Sequence, residues 1–264
     1  MSGKKWILLV AGSKHWQNYK HQANVCLHYQ LIKRHGIPEE QIVVMMYDDI
    51  ADNEKNKVSK GNIVSIIDGL DMYSGVPKDY TGKDVTPENF LSALQGEKSK
   101  NRKVIESGPD DNIYVYMTGL GTEVGFQFPD KSVLYPDALI DAIKDMHAVK
   151  KFSKMVIYMD SDYSGLMFEG LPKDVNVFAL TSCHKYIENT PTNYDAQREV
   201  YLSDLFSSTW LRHLHDVDFT KDTFTELVKT KQSKYLQDNS DEACPCRFGD
   251  KKITKCHLSE FLQK

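Results

Sequence analysis

The sequence predicts an α/β protein with one largely parallel sheet and helices on both of its faces. Short apolar runs alternate with longer stretches in which apolar residues recur at helical spacing. The apolar runs end in small and polar residues, as buried parallel strands do. No linker or internal repeat divides the 264 residues, which suffice for one large domain.

The first 50 residues predict one βαβ unit. Residues 6–11 form a continuous apolar run that ends at Gly12, which is typical of a buried parallel strand. Residues 18–34 carry apolar side chains at helical spacing, and Gly36 follows as a helix-terminating glycine. Residues 41–46 give the second strand.

The middle of the chain predicts the third strand, at residues 113–117, with a helix before and after it. The first of these helices begins after Thr86, a good N-cap residue that is followed by proline. The second is an amphipathic helix at residues 137–149. Two minor elements are also predicted, a small hairpin at residues 73–81 and a short exposed strand at residues 125–128.

The C-terminal part predicts the fourth and fifth strands at residues 155–159 and 175–180. Two helices follow, near residues 203–214 and 223–235. Beyond residue 239 we expect an irregular tail up to a short element at residues 258–262. Strands that alternate with helices in this way are typical of a parallel sheet with crossover connections.

Charge and hydropathy exclude several classes of function. The 33 Lys and Arg residues against 37 Asp and Glu give a net charge of −4, which provides no basic field for nucleic acid or anionic lipid. No apolar run approaches the roughly 18 residues that suggest a membrane span. Residues 1–5 lead directly into a strand without a signal-peptide pattern, so we expect either a cytosolic chain or a trimmed secretory product.

The five cysteines leave at least one free thiol in any disulfide scheme. Cys244, Cys246 and Cys256 loosely resemble a metal-ligand cluster, for which His257 is the nearest fourth ligand. Free thiols, or one disulfide in a C-terminal loop, are the interpretation that we prefer. We therefore predict neither a metal nor a cofactor.

Two strand ends are placed for chemistry, because open α/β sheets bind ligands at the carboxyl ends of their strands. In the first, Gly119 and Gly121 flank Leu120. The glycines allow the backbone N–H groups to bind an anion, or they form a tight turn whose leucine side chain fills a groove. In the second, Asp160 and Asp162 could share a proton, hold a hard cation or form a solvated turn, which is the commoner case. Neither strand end carries a cysteine or a histidine.

Other candidate residues lie after the first and fifth strands. The turn at residues 12–21 includes Asn18, Lys20 and His21, a polar composition at the position of a binding loop or of an ordinary strand–helix connection. Cys183 and His184 are adjacent in sequence, whereas catalytic Cys–His pairs usually converge from separate elements. We therefore predict that this pair is not catalytic.

In chain order, these segments resemble the legumains, the asparaginyl endopeptidases among the caspase-like cysteine peptidases. The similarity covers essentially the whole chain and implies a single legumain-type domain over residues 1–264, without the family's C-terminal prodomain. It implies a caspase-like three-layer sandwich with a mostly parallel sheet of about six strands. The segments that carry it include Val10-Ala11-Gly12-Ser13, Asn18-Tyr19-Lys20-His21-Gln22-Ala23, Met46-Tyr47-Asp48-Asp49, Gly75-Val76-Pro77-Lys78-Asp79-Tyr80 and Tyr201-Leu202-Ser203-Asp204.

The resemblance assigns the catalytic positions of the family to residues that lack the chemistry. Leu120 occupies the place of the catalytic histidine, Gly119 that of the aspartate before it, and Asp162 that of the catalytic cysteine. Asn18 matches a supporting asparagine of the family. Because the family's mechanism needs a thiolate and an imidazole, the resemblance implies an inactive homologue.

The resemblance also implies a residual substrate pocket. Lys20, Asp160 and Asp204 correspond to an Arg, a Glu and an Asp that receive the substrate asparagine in the family, and His21 is retained. We therefore expect a pseudoenzyme that binds a peptide or protein in the remaining groove, in a secretory, lysosome-like or extracellular compartment. The alternative is an active asparaginyl-type endopeptidase with relocated catalytic groups, using Cys183 or the acidic pair.

Overall fold

The structure is a computed structural model that describes residues 3–98, 102–225 and 245–264. Its centre is a six-stranded sheet in which five strands run parallel and one edge strand runs antiparallel to its neighbour. This arrangement confirms the predicted mostly parallel sheet of about six strands. In spatial order the sheet consists of β11 (Cys246–Gly249), β8 (Val177–Thr181), β7 (Lys154–Asp160), β3 (Asn112–Thr118), β1 (Lys5–Ala11) and β2 (Ile42–Met45).

Helices cover both faces of the sheet and give a three-layer structure. Because side chains alternate along a strand, Ile7 and Leu9 of β1 enter one core, whereas Trp6 and Leu8 enter the other. Among the described residues, the first core is closed by the helices α1 (Tyr19–Arg34), α4 (Leu205–Asp216) and α5 (Ser259–Leu262), and the second by α2 (Pro87–Gln95) and α3 (Pro136–Ala148).

Two small antiparallel sheets lie beside the main sheet. One contains β4 (Leu120–Thr122), β5 (Gly125–Gln127) and β6 (Val133–Leu134). The other is a hairpin of β9 (Pro191–Asp195) and β10 (Val200–Asp204), which leads directly into α4. Both small sheets lie near the carboxyl ends of the parallel strands, where the candidate site is found.

Several sequence predictions were wrong in detail. The strand predicted as exposed at residues 125–128 is β5, and Phe126 and Phe128 are fully buried because they pack in the second core. Residues 73–81 form no hairpin; instead, Tyr80 bonds to the backbone of Val44 and Met46 and extends the sheet edge. The helix predicted near residues 203–214 is confirmed as α4, which begins at Leu205 because the preceding residues form β10.

The tail predicted as irregular contains β11, which pairs with β8 from Cys246↔Thr181 to Gly249↔Phe178. The helix predicted at residues 223–235 lies outside the described residues from residue 226 onward. Among the helices that the structure describes, none is both long and apolar enough to cross a lipid bilayer.

Candidate functional site

The two strand ends singled out in the sequence meet at one edge of the sheet. β3 and β7 are adjacent and parallel, with Thr118 in register with Asp160. Beyond them, β4 begins at Leu120, and its neighbour Gly121 lies against the backbone of Asp162. A Cβ atom at Gly121 would stand 1.7 Å from the Asp162 carbonyl oxygen. The structure therefore brings the Leu120 and Asp162 segments into direct contact.

Gly119 joins the two strand ends and is tightly packed. Its backbone N–H donates to the Asp160 carbonyl oxygen at 3.1 Å. A Cβ atom at this position would lie 2.8 Å from Cζ of Phe126 and 3.2 Å from Cα of Gly12. Any side chain at position 119, including the aspartate that the resemblance places there, would have to displace the Phe126 ring.

Asp160 is fully buried and is held from two sides. One carboxylate oxygen accepts a hydrogen bond from Nδ2 of Asn189 at 2.8 Å. The other accepts from the Ser207 backbone N–H at 3.0 Å and also from the Ser207 hydroxyl. Because a buried carboxylate is costly without hydrogen bonds, these partners make its position at the end of β7 tolerable.

Asp162 is fixed by the same asparagine. Its Oδ1 accepts from the backbone N–H of Asn189 at 2.7 Å. Asn189 thus binds Asp160 through its side chain and Asp162 through its backbone. Sequence reasoning missed Asn189 and Ser207. The available signal was Asp160 itself, because a carboxylate at the end of a buried strand requires donors from elsewhere.

Lys20, His21 and Asp204 come together beside this pair of carboxylates. The Lys20 ammonium forms a short contact with Oδ1 of Asp204. His21 lies with Nε2 3.6 Å from Oδ2 of Asp204, and its Nδ1 is 2.7 Å from the Ser13 hydroxyl. Helix α1 supplies the lysine and the histidine, and the end of β10 supplies the aspartate.

The electrostatics of this group follow from burial. Burial raises the pKa of Asp204 to about 8, and Asp160 acts in the same direction although Lys20 lowers the pKa. Burial also holds the pKa of His21 well below its usual range, with a further contribution from Lys20. His21 is therefore neutral at neutral pH. Oδ2 of Asp204 has no hydrogen-bond partner among the described residues, so it is an acceptor without a donor.

The remaining candidates do not join this cluster. Asn18 donates its side-chain amide to the Lys14 carbonyl at 2.9 Å and so stabilises the turn before α1. The Cys183 thiol is buried, and it contacts Ser182 Oγ and the Glu188 carbonyl, each at 3.5 Å. Burial raises the pKa of this thiol well above its usual range. His184 is exposed, and its ring lies against Tyr186 instead.

Metal ligation finds no support in the part of the chain that the structure describes. Within residues 3–98, 102–225 and 245–264, no three His, Cys, Asp or Glu side chains are grouped so that they could hold a metal ion. Cys244 of the predicted cysteine cluster lies outside these residues. The Cys256 thiol lies 3.3 Å from the Lys154 ammonium, which in turn pairs with Glu260 at 3.0 Å.

Comparison with known proteins identifies the family of the chain. Residues 5–264 match the model of the peptidase C13 family. The chain belongs to the peptidase C13 family. It is 40% identical over 264 residues to legumain of Rattus norvegicus, with 98% of this chain and 59% of that protein covered. It therefore spans about three fifths of the length of this relative.

Other relatives of this C13 family member come from distant organisms. The vacuolar-processing enzyme delta-isozyme of Arabidopsis thaliana is 36% identical over 272 residues, with 98% of this chain and 58% of that protein covered. The hemoglobinase of Schistosoma japonicum is 38% identical over 259 residues, with 97% and 60% covered. The predicted resemblance to the legumains is confirmed.

A solved structure supports the fold independently of sequence. The crystal structure of caspase-1 from Spodoptera frugiperda superposes with a TM-score of 0.54 and covers all of this chain and 92% of its own. At 10% sequence identity, this similarity concerns the fold alone. The predicted caspase-like three-layer architecture is therefore confirmed.

Proposed function

We propose that this member of the peptidase C13 family is a catalytically inactive homologue that binds a peptide or protein partner beside Leu120 and Asp162. One observation carries the proposal. The two strand ends meet at Gly121 and Asp162, at the carboxyl ends of parallel strands, where α/β proteins commonly place their active sites. Neither strand end contains a cysteine or a histidine.

The groups that are present cannot replace the missing ones. Leu120 has no proton to give or take. A carboxylate is a weak nucleophile toward a peptide carbonyl, and attack by Asp162 would form an anhydride. Asp162 also accepts a hydrogen bond from the Asn189 backbone at 2.7 Å, which lowers its nucleophilicity further.

Relocated cysteine chemistry is also disfavoured. The thiolate is the nucleophilic form of cysteine, and burial keeps the Cys183 thiol protonated at neutral pH. Its contacts are a serine hydroxyl, a backbone carbonyl and an amide oxygen, none of which acts as a general base at neutral pH. The neighbouring His184 is directed to Tyr186.

Binding chemistry is retained where catalytic chemistry is not. Lys20 brings N–H donors to the pocket, and Asp204 brings an acceptor oxygen without a donor. A carboxamide side chain matches this pair, because its carbonyl accepts from an ammonium and its amino group donates to a carboxyl oxygen. We therefore propose a peptide with an asparagine side chain as the ligand class.

The compartment is part of the proposal. One relative is named a vacuolar-processing enzyme, and by this similarity we assign the protein to a secretory or lysosome-like compartment. With a pKa of about 8, Asp204 is mainly protonated at acid and at neutral pH and can itself donate a hydrogen bond, so the pocket is polar under both conditions. Imaging of the tagged protein against markers of these compartments tests the assignment.

A titration that reports binding and peptide integrity together tests the function. A fluorescent peptide with one asparagine is mixed with the purified protein, anisotropy measures binding, and mass spectrometry measures whether the bound peptide stays intact. We expect saturable binding with an intact peptide, and about tenfold weaker binding when leucine replaces the asparagine, which corresponds to about 1.4 kcal/mol. Cleavage of the peptide, or equal binding of both peptides, would contradict the proposal.

A further inference from the structure

Residues 182–190, here called the covering segment, cross the end of β7 and close the site. Its Ile187 carbonyl accepts from the Tyr163 backbone N–H at 2.8 Å, and its Thr190 carbonyl accepts from Leu205 at 2.8 Å. Asn189 lies between these anchors and bonds to Asp162 at 2.7 Å. The covering segment is therefore attached both to the residues that follow β7, at Asp162 and Tyr163, and to the start of α4 at Leu205.

The side chain of Asn189 occupies the space beside the Asp160 carboxylate. Its Nδ2 donates to Oδ1 of Asp160 at 2.8 Å, and the Cys183 sulfur lies 3.7 Å from its Oδ1. Asp160 is fully buried, and its other carboxylate oxygen already accepts from Ser207. A ligand reaches Asp160 only if Asn189 leaves.

We propose that Asn189 is an internal occupant of the pocket at Asp160, and that a partner's carboxamide binds there by displacing the covering segment. The proposal rests on the proposed function for its partner. The chemistry of the occupant identifies the competitor, because a carboxamide from a partner can make the hydrogen bond to Asp160 that the chain's own asparagine makes. Exchange of one such bond for another costs little, whereas an apolar side chain could not replace the hydrogen bond that Asn189 gives to Oδ1 of Asp160.

The other side-chain contacts of the covering segment lie at the surface. Lys185 pairs with Glu169 at 2.8 Å, and the Tyr163 hydroxyl lies 3.3 Å from Glu188. Contacts of this kind contribute little to stability in water. The hydrogen bond from the Asn189 side chain to the buried Asp160 carboxylate is the stronger side-chain constraint. Alanine at this position keeps the backbone bond to Asp162 but loses the bond to Asp160, so the replacement is expected to loosen the covering segment.

Cys183 reports the position of the covering segment. Its thiol is buried beneath that segment, 3.5 Å from the Glu188 carbonyl, and becomes accessible when the segment opens. Cys26 is equally buried, in the core under α1, and contacts Met46. Alkylation of Cys26 therefore reports global unfolding, and alkylation of Cys183 at an unchanged Cys26 rate reports local opening.

The experiment measures alkylation of both thiols by iodoacetamide, resolved by mass spectrometry of proteolytic fragments. Asn189→Ala is compared with Glu188→Gln, a near-isosteric change on the same segment whose side chain forms only a long surface contact. We expect Asn189→Ala to raise the Cys183 rate at least about tenfold without changing the Cys26 rate, a difference of about 1.4 kcal/mol in opening. Glu188→Gln should leave both rates within about twofold. In the unsubstituted protein, a saturating asparagine-containing peptide should raise the Cys183 rate, and its leucine counterpart should not.

The outcomes separate this inference from the proposed function. A Cys183 rate in Asn189→Ala equal to that of the unsubstituted protein overturns the inference whatever the peptide does. Equal affinity of the peptide for Asn189→Ala and the unsubstituted protein also overturns it, while groove binding stands. Faster Cys183 alkylation in Asn189→Ala with no binding of the peptide to either protein supports occupancy by Asn189 and overturns the proposed ligand.

If Asn189→Ala does not fold, the unsubstituted protein alone tests the displacement. A saturating peptide that leaves its Cys183 alkylation rate unchanged overturns displacement of the covering segment.

Discussion

Gly121 lies so close to Asp162 that a Cβ atom on the glycine would stand 1.7 Å from the aspartate's carbonyl oxygen. The main chains of the two strand ends are therefore in contact beside the proposed binding site. The contact involves backbone atoms, so it fixes the shape of the site independently of the side chains at Leu120 and Asp162. The backbone contact therefore holds the two strand ends in a fixed relative position.

Replacement of Gly121 by alanine is expected to force the two strand ends apart. The added methyl group meets backbone rather than a movable side chain, and overpacking of this kind costs roughly 1–3 kcal/mol. Chemical denaturation measures the loss in the free energy of unfolding. Gly108→Ala is the matched control, because a Cβ atom there meets nothing within 4 Å. Equal effects of the two substitutions would show that the strand ends are not in contact.

The stability of the protein is expected to depend on pH through Asp204. Its pKa is raised to about 8 in the folded chain, compared with about 3.9 for an unfolded aspartate. Between these values the folded state binds a proton that the unfolded state does not. The contribution of Asp204 to stability is therefore complete below about pH 4 and is lost as the pH rises toward 8.

The substitution Asp204→Asn isolates this effect. We expect the free energy of unfolding of the unsubstituted protein, minus that of the variant, to fall between about pH 5 and 8 by at most about 1.4 kcal/mol per unit. Asp218→Asn is the control, because hydrogen bonds from Thr220 lower the pKa of Asp218 to about 2 and its effect lies at lower pH. A difference for Asp204→Asn that does not change with pH would rule out the raised pKa.

Ser207 is expected to be coupled to Tyr116. The Ser207 hydroxyl donates to Asp160 and lies 2.5 Å from the Tyr116 hydroxyl. Ser207→Ala should cost about 1–3 kcal/mol in the free energy of unfolding, because it removes a donor from a buried carboxylate. Ser208→Ala, the next residue on α4, removes one contact of 3.3 Å to Asn193 and should cost less.

A double-mutant cycle tests the coupling. Tyr116→Phe combined with Ser207→Ala should cost less than the sum of the single changes, since both remove one connected set of hydrogen bonds. Strictly additive costs would show that Tyr116 and Ser207 act independently.

The parallel sheet was predictable because its strands are apolar on both faces. β1, β3, β7 and β8 were each predicted within two residues of their observed bounds, since continuous apolar runs leave few alternatives. β9 was missed because its sequence is polar and largely exposed, and β11 because its four residues show no continuous apolar run. β11 becomes a strand by pairing with β8, a long-range contact that local pattern does not encode.

The site was predictable in part for the same reason. Asp160 is the last residue of the buried strand β7, Asp162 follows it, and Leu120 follows β3, so the topology places all three at the carboxyl ends of neighbouring strands. Asn189 lies in a polar segment without periodicity, and Ser207 lies within a helix whose apolar face dominates its pattern. The local sequence around each residue therefore does not distinguish it from an ordinary surface polar residue. Their roles arise from the buried Asp160 that they contact.

The rate at which the purified protein hydrolyses an asparagine-containing fluorogenic peptide, at acid and at neutral pH, tests the central claim most directly. We predict no hydrolysis above that of Cys183→Ala, because no thiolate or imidazole is available at the strand ends. The double variant Leu120→His/Asp162→Cys, assayed in parallel, shows what these groups add at this position. Hydrolysis by the unsubstituted protein that disappears in Cys183→Ala would contradict the claim.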